Sequence, residues 1–439
     1  MDRWNEDMSN LIINAERMFD GHTITNNVSV LVINGIIKKI GKPGDFKGKV
    51  VNTRFLSPGL IDMHMHIGVY AGFIYAREVE LFEYFNKMLL YNGITTIRDV
   101  GSYANNLYNF KHIKGPIPNI FSSVFLDGEK PTWRMSFVIT NKKQIKEIFN
   151  TYKVSGIGWI KAYKSITPSI LKAIIKEAHS EGLKVAGHLL TTSPKEAINM
   201  KIDTLEHIEL LINGIDGKVS DSVSEIYKKW ARIDLNSKNL TTLIENLAKS
   251  NTAICPTLFV TNMNLFPSAE YSEYMKILFP FDNAYKNKKP KTRFTQIDET
   301  DRKIAFINML KLTKKLNDAG VKLIAGSDAA NPFVAPGFSL YQELRLLVDS
   351  GLTPIAALKT ATSNAAEVLG TESIGQIKPG SRADMILVSE PVDSDITNIN
   401  KITHVILNGN IIKVDMKYFL SKSTLRRFLP KKPKNRKKR

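Results

Sequence analysis

Two histidines occupy alternate positions at the end of a short apolar run, Leu60-Ile-Asp-Met-His-Met-His66. Alternate side chains of an extended strand point to the same side, so His64 and His66 would face the same space. Imidazole is the commonest metal-binding side chain in proteins, which makes the pair a candidate metal site. Two hydrogen-bonded polar residues at the mouth of a strand would have the same spacing, so the pair alone does not decide the matter.

Three more side chains that can bind metal follow other apolar runs. His188 and His207 each end such a run, and Asp328 comes shortly after a third. Taken singly, they would be a loop histidine, a core histidine and a helix-capping carboxylate. If the runs are strands of one parallel barrel, however, all five side chains lie at the same mouth, where such barrels carry their chemistry. The set therefore predicts one metal-binding active site.

A lysine and a tyrosine complete the candidate site. Lys161 ends the run Gly158–Ala162. A neutral lysine amine that captures carbon dioxide becomes a carbamate, an anionic oxygen donor able to bridge two metal ions about 3.5–4 Å apart. A lysine that extends from the rim into solvent, or that pairs with a carboxylate, is the alternative. Tyr163, two residues further on the same face, is a candidate oxyanion donor or else a rim aromatic packed on a loop.

Short apolar runs alternate with amphipathic helical stretches through the middle of the chain, a pattern that predicts βα units and a parallel sheet. In the stretch Ser169–Glu181, for example, apolar and charged residues fall on opposite faces of a helix. Eight such units over about 315 residues predict an α/β fold, a TIM barrel. The eight candidate strands are Leu60–His64, Ile94–Arg98, Ile117–Val124, Gly158–Ala162, Lys184–His188, Thr204–His207, Ala253–Pro256 and Lys322–Ala325.

Both ends of the chain predict antiparallel β-structure. Asn34-Gly35 and Asn408-Gly409 each stand between two β-branched runs, which is the strongest short hairpin pattern. Because chain termini commonly lie close together, one small β-sandwich built from both ends explains the two copies. The predicted domains are residues 1–57 and 373–415 for the sandwich, 58–372 for the barrel, and 416–439 for a basic tail.

Composition excludes several other classes of protein. The 439 residues are 43% apolar and carry 61 Lys+Arg against 42 Asp+Glu, which is a globular composition and not that of a disordered chain or coiled coil. Cys255 is the only cysteine, so neither an internal disulfide nor a thiolate metal cluster can form. A polar N-terminus and the absence of an apolar run of about 18 residues lead us to expect a cytoplasmic protein.

The net charge of +19 is concentrated at one end of the chain. Residues 416–439 hold eleven Lys/Arg and no acidic residue, which leaves 50 basic against 42 acidic residues elsewhere. With Pro430 and Pro433 in it, this tail is expected to be disordered and to make weak contact with a polyanion or an anionic membrane surface. The remaining excess of +8 is mild for a chain of this length.

Seven motifs follow one another along the chain: Pro58-Gly-Leu-Ile-Asp-Met-His-Met-His66, Gly93-Ile-Thr-Thr-Ile-Arg-Asp99, Ile160-Lys-Ala-Tyr163, Val185-Ala-Gly-His188, Leu205-Glu-His207, Ala325-Gly-Ser-Asp328 and Pro379-Gly-Ser-Arg-Ala-Asp384. As an ordered set they resemble the motifs of the amidohydrolase superfamily, most closely its imidazolonepropionase-like and prolidase-like branch. The resemblance runs from about residue 10 to 415. It implies a distorted TIM barrel with a small β-sandwich domain, metal-dependent hydrolysis, and usually one or two zinc ions.

The resemblance also implies a role for each candidate ligand. His64, His66 and Asp328 would bind the first metal ion, His188 and His207 the second, and carbamylated Lys161 would bridge the two ions. Mononuclear deaminases of the superfamily typically have a glutamate three residues after the fifth-strand histidine and lack the fourth-strand lysine. This chain has Thr191 at the first position and keeps the lysine, which favours a two-metal hydrolase.

The chain departs from its relatives at two places near the site. Ile208 stands where glycine commonly follows the sixth-strand histidine, and Leu126–Trp133 stands where a Gly/His-rich loop is common. The segment Leu258–Gln296 is rich in Phe and Tyr and suits a lid over a partly apolar, carboxylate-bearing molecule, although its aromatic residues could equally form a dimer surface or the core of a helical cap. We therefore expect a dipeptide or N-acyl amino acid as the substrate, and a homo-oligomer.

The expected mechanism rests on what two divalent ions do to water. Coordination lowers the pKa of water towards about 7, so a bridging hydroxide would form near neutral pH and attack an amide carbonyl. Asp328 would carry its proton to the leaving nitrogen. Zinc is the expected metal, although the same donors accept Mn, Co or Fe. The alternatives are a cyclic amide or lactone hydrolase, a mononuclear deaminase, and a non-catalytic scaffold anchored by the tail.

Overall fold

The computed structural model describes residues 10–68, 78–102, 115–153, 158–267, 292, 294–329, 331 and 333–416. The basic tail from residue 417 onward, and residues 268–291 and 293 of the proposed lid, lie outside this part. The strands are β1 Leu11–Phe19, β2 Ile24–Ile33, β3 Ile36–Gly41, β4 Lys49–Pro58, β5 Leu60–Met65, β6 Ile94–Asp99, β7 Asn119–Asp127, β8 Phe137–Val138, β9 Trp159–Ala162, β10 Lys184–Gly187, β11 Thr204–Glu206, β12 Ala253–Cys255, β13 Met385–Val388, β14 Ile402–Leu407 and β15 Asn410–Lys413.

The two ends of the chain form one sheet of seven strands, in the order β15-β14-β13-β4-β1-β2-β3. Both Asn-Gly pairs are hairpin turns with positive φ at both residues, as type I′ turns require, so the two predicted hairpins are confirmed. The two turns also meet, because a Cβ on Gly409 would lie 2.6 Å from the Gly35 Cα. The sheet thus closes over its own apolar core, which includes Ile13, Val30 and Leu387. This confirms a small β-sandwich made from both chain ends.

The middle of the chain forms a parallel barrel. Strands β5, β6, β7, β9, β10, β11 and β12 pair with one another in chain order, and the short β8 pairs with β7. Seven of the eight predicted runs are therefore strands, which confirms a distorted TIM barrel. The strand edges differ from the prediction by at most three residues, and β10 and β11 end one residue early, so that His188 and His207 lie directly after them.

The prediction of an eighth strand at Lys322–Ala325 is wrong, because this segment does not form a regular strand. It makes a single bridge to β12 through Leu323 and Ile254, and the backbone N–H of Met63 in β5 donates to the carbonyl of Ala325 at 2.9 Å. Each neighbour accepts or donates only one or two bonds, so no continuous ladder forms. The segment nevertheless lies between β5 and β12, which are the first and last strands of the barrel, and so it closes the barrel.

Helices cover the outside of the barrel. The predicted helix Ser169–Glu181 is confirmed with a shift of one residue, and it buries Ile170, Ile174 and Ala178 against the sheet. None of the helices in the described ranges is long and apolar enough to cross a membrane. The helices are α1 Glu78–Tyr91, α2 Lys143–Lys153, α3 Pro168–Ser180, α4 Pro194–Asn199, α5 Val223–Arg232, α6 Lys238–Lys249, α7 Leu258–Leu265, α8 Glu299–Asp318, α9 Phe338–Asp349, α10 Pro354–Thr360 and α11 Ser363–Leu369.

The start of the proposed lid is part of the protein core. Helix α7 is buried on most of its surface, including Phe259, and Phe266 packs against Phe306 with ring centroids 6.2 Å apart. Two backbone N–H groups at its first turn donate to the buried carboxylate of Glu343. Of the alternatives for this segment, a helical cap core fits the residues up to 267 that the structure describes.

Candidate metal centre

The structure brings the six candidate ligands together at the carboxyl end of the barrel. Their positions are His64 in β5, His66 directly after it, Lys161 in β9, His188 after β10, His207 after β11 and Asp328 three residues after the closing segment Lys322–Ala325. The imidazole rings form a chain, with centroids 5.5 Å apart for His64–His66, 4.8 Å for His64–His207 and 4.5 Å for His188–His207. Such convergence of metal-binding groups is what the strand-end positions predicted.

The Asp328 carboxylate lies against the first histidine pair, His64 and His66. Its Oδ1 lies 3.5 Å from His64 Nε2 and 3.4 Å from His66 Nε2, and one ligand atom of each residue lies within 4.8 Å of the others. Burial alone would raise the pKa of this carboxyl, but His64 and His66 hold it well below its usual range. Asp328 is not the N-cap of the next helix in the described ranges, α9, which begins after Gly337. The helix-cap alternative does not hold there.

Two polar atoms in the cluster are buried without a hydrogen-bond partner among the described residues. They are Lys161 Nζ and His64 Nε2. Burial also lowers the pKa of Lys161 to about 8, which makes the neutral amine far more accessible than in an exposed lysine. The rim alternative for Lys161 is therefore excluded, because its side chain is enclosed in the barrel.

Three of the histidines are held from behind through Nδ1. His64 Nδ1 lies 2.6 Å from Glu206 Oε2, His66 Nδ1 lies 2.6 Å from the carbonyl of Gly101, and His207 Nδ1 lies 2.8 Å from the Thr257 hydroxyl. A carboxylate and a carbonyl only accept, so the first two rings carry their proton on Nδ1. The Nε2 atom of His64 then presents a lone pair to the cluster, which is the arrangement typical of metal-binding histidines. His66 Nε2 instead faces Asp328: burial alone would lower the pKa of His66, but its hydrogen bond with this carboxylate raises it.

Behind His64 lies a buried ion pair that the sequence analysis missed. Arg98 Nη2 donates to Glu206 Oε1 at 2.8 Å, and Arg98 Nε donates to the carbonyl of Met63 at 2.6 Å. The guanidinium also lies over the ring of Trp159, 4.6 Å from its centroid. Burial would raise the pKa of Glu206, but the Arg98 guanidinium holds it well below its usual range. Charged residues inside apolar strand runs were the available signal, because such residues are rarely buried without a partner.

A second group of potential ligands lies lower in the barrel and fits a metal less well. His64, Glu206 and Cys255 have one ligand atom each within 4.8 Å of the others. Glu206 is already paired with Arg98, however, and burial raises the pKa of the Cys255 thiol well above its usual value. The thiol is therefore neutral and packs as a small apolar group.

The backbone at the site is strained. His207, Thr257 and Asp328 all have positive φ, at 67°, 49° and 56°. This region is uncommon for residues other than glycine, and for a β-branched threonine it is an outlier. Strained residues of this kind cluster at functional sites, where the surrounding structure holds them in place. All three lie within or directly behind the histidine cluster.

Tyr163 lies beside the second histidine pair. Its ring centroid is 4.4 Å from that of His188 and 4.8 Å from that of Phe125. The Trp133 indole N–H donates to the Tyr163 hydroxyl at 3.1 Å. Burial raises the pKa of Tyr163 to about 12, so the phenol keeps its proton at neutral pH. The hydroxyl can therefore donate a hydrogen bond into the site.

Comparison with known proteins agrees with this geometry. The model of the amidohydrolase family matches residues 55–412. The chain belongs to the amidohydrolase family. This amidohydrolase is accordingly a metal-dependent hydrolase, as the motifs predicted.

Three relatives of this amidohydrolase illustrate the range of the family. An imidazolonepropionase of Geobacillus kaustophilus is 32% identical over 123 residues, which are 26% of this chain and 29% of the relative. An adenine deaminase of Halalkalibacterium halodurans is 21% identical over 421 residues, which are 93% of this chain and 58% of the relative. The solved structure of a Xaa-Pro dipeptidase with bound methionine has a TM-score of 0.67 at 21% identity and covers 92% of this chain and 100% of its own. The matches thus span less than two thirds of the two curated relatives, and the structural likeness shows the fold.

Proposed function

We propose that this amidohydrolase cleaves the amide bond of a dipeptide or an N-acyl amino acid, with two divalent metal ions at the mouth of the barrel. The observation that supports this most directly is the pair of buried atoms, Lys161 Nζ and His64 Nε2, that lack a hydrogen-bond partner in the described ranges. A buried polar atom left unsatisfied costs about 1–3 kcal/mol. Metal ions held by His64 and by a carbamate on Lys161 would remove that cost.

The donor set fits two ions. Four imidazoles and one carboxylate form a nitrogen and oxygen donor set that accepts Zn, and also Mn, Co or Fe. We assign His64, His66 and Asp328 to the first ion, and His188 and His207 to the second. Lys161, as a carbamate, would be the bridging anion, which accounts for its burial without a counter-ion in hydrogen-bond range. Zinc is the metal we propose.

Bound ions would supply a water of lowered pKa and would polarise the substrate carbonyl. The protein's own residues would do the rest. Asp328 faces both histidines of the first pair and is ionised, so it can take a proton from the attacking water and pass it to the leaving nitrogen. Tyr163 keeps its proton and would donate to the oxygen of the tetrahedral intermediate.

Some similar proteins favour a linear amide substrate and others favour a different one. The Xaa-Pro dipeptidase structure favours a dipeptide, and the imidazolonepropionase favours a cyclic amide or lactone as the second candidate. Adenine deaminase chemistry is less favoured. Thr191 stands where we expect the deaminase glutamate, and its hydroxyl shares its one proton between the carbonyls of Lys164 and Ile166, at 3.0 and 2.8 Å. That hydroxyl is engaged by backbone and cannot act as an acid.

An activity assay tests the proposal. The zinc-loaded protein is incubated with a library of dipeptides and N-acyl amino acids, and released amine is measured. We expect hydrolysis that requires metal, disappears in Asp328→Asn and persists in Lys172→Ala, a control at an exposed lysine on α3. Activity confined to cyclic amides or lactones would contradict the peptide proposal, and release of ammonia from adenine would favour the deaminase.

We also propose that the basic tail, residues 416–439, takes no part in hydrolysis and contacts polyanions or an anionic membrane surface. Its support is the sequence alone, which holds eleven basic residues and no acidic one. Such charge-driven contacts weaken as salt rises, because bound counter-ions are released. Removal of the tail therefore separates the two activities.

A further inference from the structure

We propose that Trp133 determines which side groups the enzyme accepts, by covering an aromatic or flat apolar group of the substrate next to the scissile amide. The inference rests on the proposed amide hydrolysis and adds the class of substrate. Trp133 belongs to the segment between β7 and β8, where the sequence departs from the Gly/His-rich loop of its relatives. No motif of the family assigns it a role.

One side chain, that of Tyr163, separates the Trp133 indole from the histidine cluster. Its N–H donates to the Tyr163 hydroxyl at 3.1 Å, and the Tyr163 ring lies 4.4 Å from the His188 ring. Trp133 nevertheless remains 42% exposed, so part of this large apolar residue is open to solvent. A half-exposed tryptophan beside an active site offers a flat surface that a ligand can cover at little entropic cost.

The loop that carries Trp133 is held in place before any substrate arrives. The buried Asp127 accepts the N–H groups of Gly128 and Ser165 at 2.9 Å each and that of Thr132 at 3.0 Å. The Ser165 hydroxyl donates to the carbonyl of Lys130 at 3.1 Å. These bonds tie the loop to the segment that follows β9, so the indole is positioned in advance and binding need not order it.

The indole has two separable effects. Its N–H occupies a lone pair of the Tyr163 oxygen, so the phenol proton must point elsewhere and is available to the substrate. Its ring provides apolar surface. Trp133→Phe removes the first effect and keeps most of the second, whereas Trp133→Ala removes both. The difference between the two variants therefore isolates the ring.

The test compares N-acetyl-L-phenylalanine with N-acetyl-L-alanine as substrates of the zinc-loaded enzyme. Trp133→Ala should lower the ratio of kcat/KM for the aromatic over the alanine substrate about tenfold, which corresponds to covering a ring of this size. Trp133→Phe should change that ratio less than about threefold, while it lowers kcat for both substrates through Tyr163. Ile307→Ala, an exposed apolar residue on α8, is the control and should change neither.

Binding provides a second measurement that does not need turnover. L-Phenylalanine, an expected product with no amide left to hydrolyse, should change the tryptophan fluorescence of the metal-loaded wild type and have a weaker affinity for Trp133→Ala, at unchanged melting temperature. L-Alanine is the comparison compound. If the wild type does not hydrolyse these amides but its binding still depends on Trp133, the proposed amide hydrolysis is contradicted and this inference stands. An equal effect of Trp133→Ala on both compounds, or no preference for the aromatic compound in either measurement, would overturn the inference.

Discussion

Replacing Arg98 with methionine should both destabilise the protein and weaken its metal site. The Arg98 side chain is fully buried and makes three polar contacts besides its stacking on Trp159: the ion pair with Glu206, the hydrogen bond to the carbonyl of Met63, and a hydrogen bond from Nη1 to the Thr204 hydroxyl at 3.0 Å. Removing one partner of a buried pair leaves the other charge uncompensated, which costs about 3–5 kcal/mol. Methionine has a similar volume, so the loss of packing adds little.

The same change acts on His64 through Glu206. An uncompensated Glu206 takes up a proton more readily, and a protonated carboxyl no longer fixes the His64 Nδ1–H through a charged bond. Loss of such a second partner of a metal-binding histidine typically lowers metal affinity 10–100-fold. Glu206→Gln should have the same effect on affinity, since it keeps the shape and removes the charge.

The measurements are urea unfolding of chelator-treated protein and zinc affinity by competition with a chelating dye. The double variant Arg98→Met, Glu206→Gln carries neither charge. Its loss of unfolding free energy should be smaller than the summed losses of the two single variants by about 1–3 kcal/mol. Arg232→Met is the matched control, because its ion pair with Asp301 is exposed and contributes at most about 1 kcal/mol. Additive single effects below 1 kcal/mol, with unchanged zinc affinity, would refute the role of this pair.

Three further changes have expected outcomes. Lys161→Met should stabilise the metal-free protein by about 3 kcal/mol at pH 7, because a lysine with a pKa lowered from 10.5 to about 8 opposes folding fully below pH 8 and not above pH 10.5. A difference in unfolding free energy that does not shrink between pH 8 and 10.5 would contradict this. Thr257→Val should lower the affinity for the second zinc ion 10–100-fold, because the Nδ1 of His207 loses its partner; titration that still shows two equal sites would count against it. Deletion of residues 416–439 should leave kcat/KM unchanged and abolish salt-dependent retention on heparin. Retention by the truncated protein would place the basic surface elsewhere.

The fold was predictable wherever short-range chemistry decides it. The Asn-Gly pairs at 34–35 and 408–409 need positive φ at both residues, so their turn type follows from the sequence alone. The segment Lys322–Ala325 was not predictable in the same way. Its composition is that of a strand, but its hydrogen bonds depend on two neighbours that approach it from opposite sides to close the barrel.

The residues of the candidate site likewise fall into those that the sequence could predict and those that it could not. His64, Lys161 and Asp328 could be chosen as candidates from the sequence because they end or follow apolar runs. Their side chains can also serve as metal ligands, in the case of the lysine only as a carbamate. The residues that hold them could not be chosen in this way. Glu206 and Thr257 act through contacts with residues 142 and 50 positions away, and no local pattern specifies those partners.

Metal content per chain tests the central claim most directly. The wild type, purified in the presence of zinc and bicarbonate and measured by inductively coupled plasma mass spectrometry, should hold about two equivalents. Lys161→Ala should hold about one, and a short-chain carboxylic acid should partly restore the second ion and the activity, because it replaces the missing bridge. Lys172→Ala should retain both. A single tightly bound equivalent in the wild type, unaffected by Lys161→Ala, would contradict the two-metal account.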